Sequence, residues 1–155
     1  MLDAIDVKIL TLLQESGRMK RNDLADSVGL SLPSVSERLR KLEAAGIIQG
    51  YHARLDSVRC GKTLTAFIEV TVDSSKHYNA FLSHAKTQDD ILECHAVTGE
   101  SSHLLKVRTA DTRSLEKLLA RIQAWTGVIN TRTHLVLSSA KETSAIRINP
   151  ADITK

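Results

Sequence analysis

Apolar residues repeat at two different spacings along this 155-residue chain, and the change between them falls near residue 60. Over residues 3–16, Ile5, Ile9, Leu12 and Leu13 recur at i, i+4, i+7 and i+8, the stripe of an amphipathic helix. Asp3 stands where it can cap that helix, Asp6 lies in the first turn where negative charge suits the dipole, and Gly17 follows as a stop. A shorter helix over residues 21–28 turns Leu24, Ala25 and Val28 inward, and Gly29 is placed to take the left-handed conformation after it. Ser31 can cap a third helix with Pro33 in its first turn, where a missing N–H does little harm. That helix turns Val35, Leu39 and Leu42 inward and ends at Gly46; "IIQGYHARL", residues 47–55, reads as extended.

The second half changes rhythm. Residues 62–73, "KTLTAFIEVTVD", alternate as a strand does, whereas residues 75–89 carry Tyr78, Phe81, Leu82 and Ala85 at helical spacing. Two further strands, "ILECHAVTG" and "HLLKVRTAD", meet at Gly99–Ser102. Residues 112–127 form a helix with Leu115, Leu118, Leu119, Ile122 and Trp125 inward, and residues 128–139 form a last strand. The order β-α-β-β-α-β is that of a ferredoxin-like sandwich, four antiparallel strands with two helices on one face. From Ala140 the chain is polar with one apolar island, Ile146 and Ile148, and reads as a loose or edge-docking tail. The fold class is therefore α+β: a three-helix unit over residues 1–50, a joining segment over 51–61, a sandwich over 62–140 and a tail over 141–155.

Composition narrows the chemistry. Aromatic residues make up only 3% of the chain, so the cores must be built mainly from Leu, Ile, Val and Ala. The formal net charge of +3 is too small to identify a nucleic-acid partner by itself, because the placement of charge matters more than its sum. No apolar run is long enough to cross a bilayer, and Met1–Asp6 has acids where a secretory leader needs bases, so a cytoplasmic protein without a membrane partner is expected. Cys60 and Cys94 make neither a metal spacing nor a disulfide framework. His95, His103 and His134 fall on strands that could be neighbours, but no spacing among them fixes a metal geometry; structural or ligand-contact roles are expected, with no resident metal, cofactor or catalytic group.

Charge placement changes the picture in the third helix. At about 100° per residue, with Val35 inward, Ser34, Glu37, Arg40 and Lys41 point outward, with Ser36 and Arg38 on the flanks. Taken alone, this is an ordinary solvated helix face. Two short helices joined through Gly29-Leu30-Ser31, however, make a helix-turn-helix, whose second helix enters the major groove of double-stranded DNA. Ser31 and Ser34 and the free N–H groups at its start suit a phosphate, Arg40 and Lys41 can reach base edges or backbone, and Arg38 is best placed for a phosphate. Arg18, Lys20 and Arg21 lie just before the second helix, where it would cross the backbone. Glu37 can accept from a cytosine amino group, but pairing with Arg40 or Lys41 is the favoured expectation.

Four strings in order, "LDAIDVKILTLLQESGR", "LADSVGLS", "VSERLRKLEAAGIIQGY" and "VTGESSHLLKVRT", resemble the Lrp/AsnC (feast/famine) family of transcriptional regulators over nearly the whole chain. The resemblance implies an N-terminal (winged) helix-turn-helix, a hinge strand over 51–61, and a ferredoxin-like domain that dimerises and senses small molecules, with dimers often assembling into rings of four. It implies a nucleoid-associated regulator of amino-acid response. It also implies an amino-acid effector at the loop Gly99, Glu100, Ser101, Ser102 and His103, with Thr131 and Thr133 as second-wall residues. In that reading glycine lets backbone N–H groups approach a carboxylate, and Glu100 holds an ammonium; in most proteins the same string is simply a polar turn. Many relatives carry an acid and an aromatic where this chain has Ser102 and His103. Relatives also place Ser or Thr where Lys20 would cap the second helix, so either the helix starts later, capped by Asn22, or Lys20 gives up capping for a phosphate contact. The same two-domain plan resembles the sirohaem decarboxylases, although "SHLLKVRT" stands where their histidine-bearing strand would be. An effector-independent architectural DNA-binding protein is the remaining alternative.

Overall fold

The computed structural model describes residues 2–149. The described residues divide into two compact units: residues 2–54 together with 141–149, and residues 55–140.

The first unit holds α1 (Ala4–Glu15), α2 (Arg21–Val28) and α3 (Leu32–Ala44). The start of α1 is a full capping box. Asp3 accepts the Asp6 N–H at 2.8 Å, and Asp6 accepts the Asp3 N–H at 3.1 Å. Two of the four orphan donors of the helix end are thereby satisfied, and a carboxylate sits at each end of the bargain. Gly29 has φ 69° and ends α2 in the left-handed conformation, which lets the Leu30 N–H bond back to the Ala25 carbonyl at 3.0 Å. The Ser31 side chain then caps α3 through the Ser34 N–H. Ile9, Leu10, Leu24, Ala25, Val35, Leu39 and Leu42 are buried together. Helical spacing anticipates all of these except Leu10, which closes the side of α1 next to the expected stripe.

The second unit is a four-stranded antiparallel sheet of β1 (Leu64–Val72), β2 (Ile91–Ala96), β3 (His103–Thr109) and β4 (Val128–Leu135), in the order β2-β3-β1-β4. A short 3₁₀ turn leads into α4 (Tyr78–Lys86), and α5 (Thr112–Gln123) follows β3. Register sorts the faces. Ala66, Ile68 and Val70 lie opposite Val107, Leu105 and His103, and this set is buried beneath Phe81, Leu115, Leu118 and Ile122 of the helices. The other set, including Phe67, Glu69, Leu104, Arg132 and His134, faces away from the helices. This is the expected ferredoxin-like arrangement.

Two regions differ from the expectations drawn above. Residues 47–63 contain no strand; the hinge is irregular, and residues 56–62 curl into a turn held by Asp56, which accepts the Val58 and Arg59 N–H groups. Asp56 satisfies these backbone groups locally, as short polar side chains do in turns. The tail is neither loose nor docked on the sheet edge. Residues 141–149 return to the helical unit, where Ile148 packs against its core. The rest of the expected tail segment, residues 150–155, lies outside the described residues, as does Met1.

Gly127 gives the fold a test. Its φ is 85°, and an added Cβ would lie 2.5 Å from His77 Nδ1 and 2.7 Å from His77 Cβ. The His77 ring is itself held by Asp73 at 2.6 Å. Gly127→Ala is expected to cost about 1–3 kcal/mol, from the strained backbone together with the displaced imidazole; a urea unfolding midpoint equal to that of wild type would show that neither constraint operates.

Candidate DNA-reading and ligand-binding sites

The outward face of α3 is as its spacing requires. Ser31, Ser34, Glu37, Arg40 and Lys41 are exposed, while Ser36 and Arg38 are half-buried on its flanks. The Ser31 and Ser34 hydroxyls bond to each other at 2.8 Å, so the helix start presents a linked hydroxyl pair beside its free N–H groups. Glu37 forks Arg40 with two bonds of 2.8 Å and approaches Lys41 at 3.7 Å. The Arg40 hydrogen bonds hold the Glu37 carboxyl at a pKa of about 2. The carboxylate is thus ionised throughout the physiological range, and it orients the Arg40 guanidinium at the cost of part of the helix's positive charge.

Arg38 is engaged differently from its neighbours. Its Nη1 lies 2.7 Å from Asp3 Oδ2 and 2.7 Å from Asp6 Oδ1, the two carboxylates of the α1 capping box. The backbone N–H of Asp6 and then the Arg38 guanidinium hold the Asp3 carboxyl below its ordinary range, and the two carboxylates push the Arg38 pKa further up. Arg38 therefore ties the reading helix to the start of α1. By contrast, Arg18, Lys20 and Arg21 are exposed, with no ion pair among the described residues. Helix α2 begins at Arg21, and Lys20 occupies the cap position with no side-chain capping bond. That excludes the later start capped by Asn22 and leaves the Lys20 ammonium unused by the fold.

In the sheet unit, Gly99 has φ 117°, a conformation that side chains rarely adopt, and the loop it opens splits to the two faces of the sheet. Glu100 and Ser101 turn to the face without helices. The Ser101 hydroxyl donates to Glu69 Oε2 at 3.1 Å, and Glu100 approaches Arg132 at 3.7 Å. Arg132 also approaches Glu69 at 3.7 Å, and His134 Nε2 lies 3.2 Å from the second oxygen of Glu69. Ser102 and His103 turn into the fold instead. The Ser102 oxygen accepts the Val72 N–H at 3.0 Å and lies 3.1 Å from the Val70 carbonyl and 2.9 Å from His103 Nδ1. His103 is 1% exposed, edge-on to Tyr78 and tilted against Phe81. Thr131 and Thr133 lie opposite Val70 and Ile68 on the helix-covered side, and Thr131 accepts from Gln123 of α5 at 2.8 Å.

Of the expected ligand-site residues, then, the structure gathers Gly99, Glu100 and Ser101 around a charged row on one face and places Ser102, His103, Thr131 and Thr133 on the other side of the sheet. Sequence reasoning passed over Glu69 and Arg132, and weighed His134 only as a strand histidine with a structural or ligand-contact role. Their signal was present: Arg132 and His134 alternate with the threonines of β4, and Glu69 is the single acid in the apolar run of β1. His95 pairs with Glu93, so the three strand histidines do not converge, and no group of three or more potential metal ligands occurs among the described residues.

Comparison with known proteins accounts for both halves of the chain. Residues 2–49 match a winged helix-turn-helix DNA-binding model and residues 65–146 match the Lrp/AsnC ligand binding domain. The chain belongs to the Lrp/AsnC family. It is 38% identical to the leucine-responsive regulatory protein of Haemophilus influenzae over 92% of this chain and 88% of that one. A Neisseria meningitidis transcriptional regulator, solved as its L-methionine complex, superposes with a TM-score of 0.90 at 32% identity, covering 94% of this chain and 96% of that one. Escherichia coli AsnC superposes with a TM-score of 0.88 at 27% identity, covering 96% and 99%. The protein is a DNA-binding transcriptional regulator modulated by a small-molecule effector. No helix among its described residues is long and apolar enough to cross a membrane.

Two outcomes follow from this geometry. Because Arg38 bonds to α1, Arg38→Ala is expected to lower the melting temperature by about 3 °C in the absence of DNA; an arginine that serves only DNA would leave it unchanged, which differential scanning calorimetry distinguishes. Burial lowers the His103 pKa below its usual 6.5. A histidine kept neutral by the fold favours folding above its unfolded pKa, and that advantage is lost as pH falls from about 6.5 toward the lower folded value. Melting temperatures from pH 8 to pH 5 should therefore drop more steeply for wild type than for His103→Asn, and parallel curves would refute the assignment.

Proposed function

We propose that this regulator reads operator DNA as a homodimer through α3 and that an amino acid at the 99–102 loop sets its affinity. Two copies joined through their sheets hold two α3 helices one duplex turn, or a small multiple, apart, and four such dimers close into a ring. The observation that carries the DNA reading is the exposed surface formed by Arg18, Lys20, Arg21, Ser31, Ser34, Glu37, Arg40 and Lys41, flanked by half-buried Ser36, with three of its cations unpaired among the described residues. The free cations at and just before the start of α2 take phosphates. Arg40, already oriented by Glu37, and Lys41 take base edges or further phosphates. Arg38 reaches a phosphate only by leaving Asp3 and Asp6, and the reading keeps it as a support for α3.

The bare face of the sheet supports the dimer, since a sheet covered by helices on one side alone leaves half-buried Phe67 and Leu104 without a second layer. The charge row beside the loop supports the ligand class. Arg132 suits a carboxylate, Glu100 and Glu69 suit an ammonium, and Gly99 opens the backbone between them. The L-methionine complex of the Neisseria meningitidis relative is consistent with this choice.

The test is a salt titration of binding to the chain's own upstream DNA. Each lost phosphate contact lowers the log–log salt slope by about 1. Arg40→Ala with Lys41→Ala should weaken binding and flatten the slope by up to about 2, with the dimer intact by size-exclusion chromatography with light scattering. Normal binding by the double variant would sink the groove assignment. A thermal shift against the twenty common amino acids tests the ligand class, and no response to any of them counts against it.

A further inference from the structure

Beyond α3 the chain folds back on the helix it has just left. Gly46 has φ 68°, and the Ile47 and Ile48 N–H groups both donate to the Leu42 carbonyl, at 3.0 and 3.2 Å. Ile48 then packs against the helical core. This return brings Tyr51 beside Glu43, eight positions earlier, and the Tyr51 hydroxyl donates to Glu43 Oε1 at 3.0 Å. Desolvation of the phenol and then the Glu43 carboxylate raise the Tyr51 pKa above its ordinary 10, with Arg21 near enough to oppose them, so the hydroxyl keeps its proton as a donor.

Glu43 stands where a free carboxylate would count. With Arg21, Pro33, Ser36, Glu37 and Arg40 it lines an open hollow of about 390 Å³ between α2 and α3. Both acids of the hollow are engaged: Glu37 holds Arg40, and Glu43 is held by Tyr51. Arg21 lines the same hollow and has no ion pair among the described residues. A hydrogen bond to a charged group stabilises more than an exposed ion pair between two flexible side chains. The carboxylate therefore stays with the phenol, and the Arg21 guanidinium stays available.

We propose that Tyr51 is a positioning residue for DNA reading: it holds the Glu43 carboxylate off Arg21, so that this cation stays free for a DNA phosphate at the hollow between α2 and α3. A phenylalanine at position 51 keeps the ring and loses the donor. The released Glu43 then turns to Arg21, because Arg40 is already forked by Glu37. An arginine paired within the protein releases no counterion when it meets DNA. This role rests on the reading above that Arg21 and Arg40 face DNA.

The experiment is a double-mutant cycle on the full-length chain: wild type, Tyr51→Phe, Glu43→Gln and the two together, each titrated with the chain's own upstream DNA at several salt concentrations. Tyr51→Phe should weaken binding about threefold to fivefold, the worth of one exposed ion pair formed in competition with DNA. It should also flatten the log–log salt slope by up to about 1. With Glu43→Gln already in place, the same tyrosine change should leave affinity and slope where Glu43→Gln alone puts them, since a neutral amide has no charge to give Arg21. A packing defect caused by Tyr51→Phe would not be repaired by Glu43→Gln, so the cycle separates positioning from packing. Wild-type affinity and slope in Tyr51→Phe overturn the proposal. An equal loss in both backgrounds overturns it too, because the tyrosine would then act without Glu43. Normal binding by Arg40→Ala with Lys41→Ala would sink the DNA-facing reading and this role with it; a weakened double variant beside an unaffected Tyr51→Phe would sink the role of Tyr51 alone.

Discussion

The arginine on the flank of α3 bonds to both carboxylates of the α1 cap, and the DNA-reading half depends on that contact. A three-helix unit this small has little core to fix the pose of any one helix. Val35, Leu39 and Leu42 anchor α3 along one stripe only. An apolar stripe resists separation but resists rotation about the helix axis poorly, because hydrophobic contact is not directional. The Arg38 bonds of 2.7 Å to Asp3 and Asp6 are directional, and they act off the axis of that stripe. They fix which outward residues face away from the protein. The capping box is part of the same device, since the backbone bonds that hold Asp3 and Asp6 also hold the acceptors for Arg38.

That arrangement has an electrostatic consequence. Arg38 is neutralised by its two partners, and Glu37 offsets one of Arg40 and Lys41. The recognition helix is thus polar and ordered rather than strongly cationic. In the proposed reading, counterion release, which supplies most sequence-independent affinity, falls instead to Arg18, Lys20 and Arg21. In that reading affinity and discrimination are divided: unpaired cations at the start of α2 suit the diffuse phosphate field, and a braced guanidinium suits the fixed geometry of a base edge. The absence of a side-chain cap on α2 fits this division, because a serine at position 20 would steady the helix and remove one of those cations.

How much of this was legible in the sequence depended on whether the partner of each residue lay nearby in the chain. The helix ends could be read, since Asp3, Gly29 and Ser31 act on backbone within a few positions. The pairing of Glu37 with Arg40 could be read for the same reason. The sandwich could be read because alternation reports a buried face directly. Arg38 could be placed on a flank, but its partners are 32 and 35 positions away, and helical spacing carries no information about them. The tail failed more completely. Gln14 and Ile146 are 132 positions apart, and an exposed glutamine gives no sign that it will bond to a backbone. At the 99–102 loop the residues could be proposed for a site, but the faces they turn to could not be read. Residues 97–102 lie outside the strands, with Gly99 at φ 117°, so strand alternation does not assign their faces.

The loop repays one more step. Ser102 bonds to the backbone of β1 while Ser101 bonds to the Glu69 side chain on the same strand, so consecutive serines grip β1 from its two sides. A hydroxyl has one proton to give. If Ser102 gives it to the Val70 carbonyl, the His103 ring must donate through Nδ1; if Ser102 gives it to the ring, the carbonyl loses that bond. A neutral imidazole accommodates either state, and a protonated one only the first. The buried position of His103 against Phe81 and Tyr78 keeps it neutral, so Ser102 retains both choices at ordinary pH. Ser102 and His103 turn inward, while Glu69, Glu100 and Arg132 hold the charge on the open face of the sheet. In the proposed reading, a ligand at this loop meets a row of alternating charge along the sheet rather than the loop alone. Such a row favours a molecule carrying both signs of charge over one carrying either, because a ligand of one sign would have to displace an existing partner without replacing its charge.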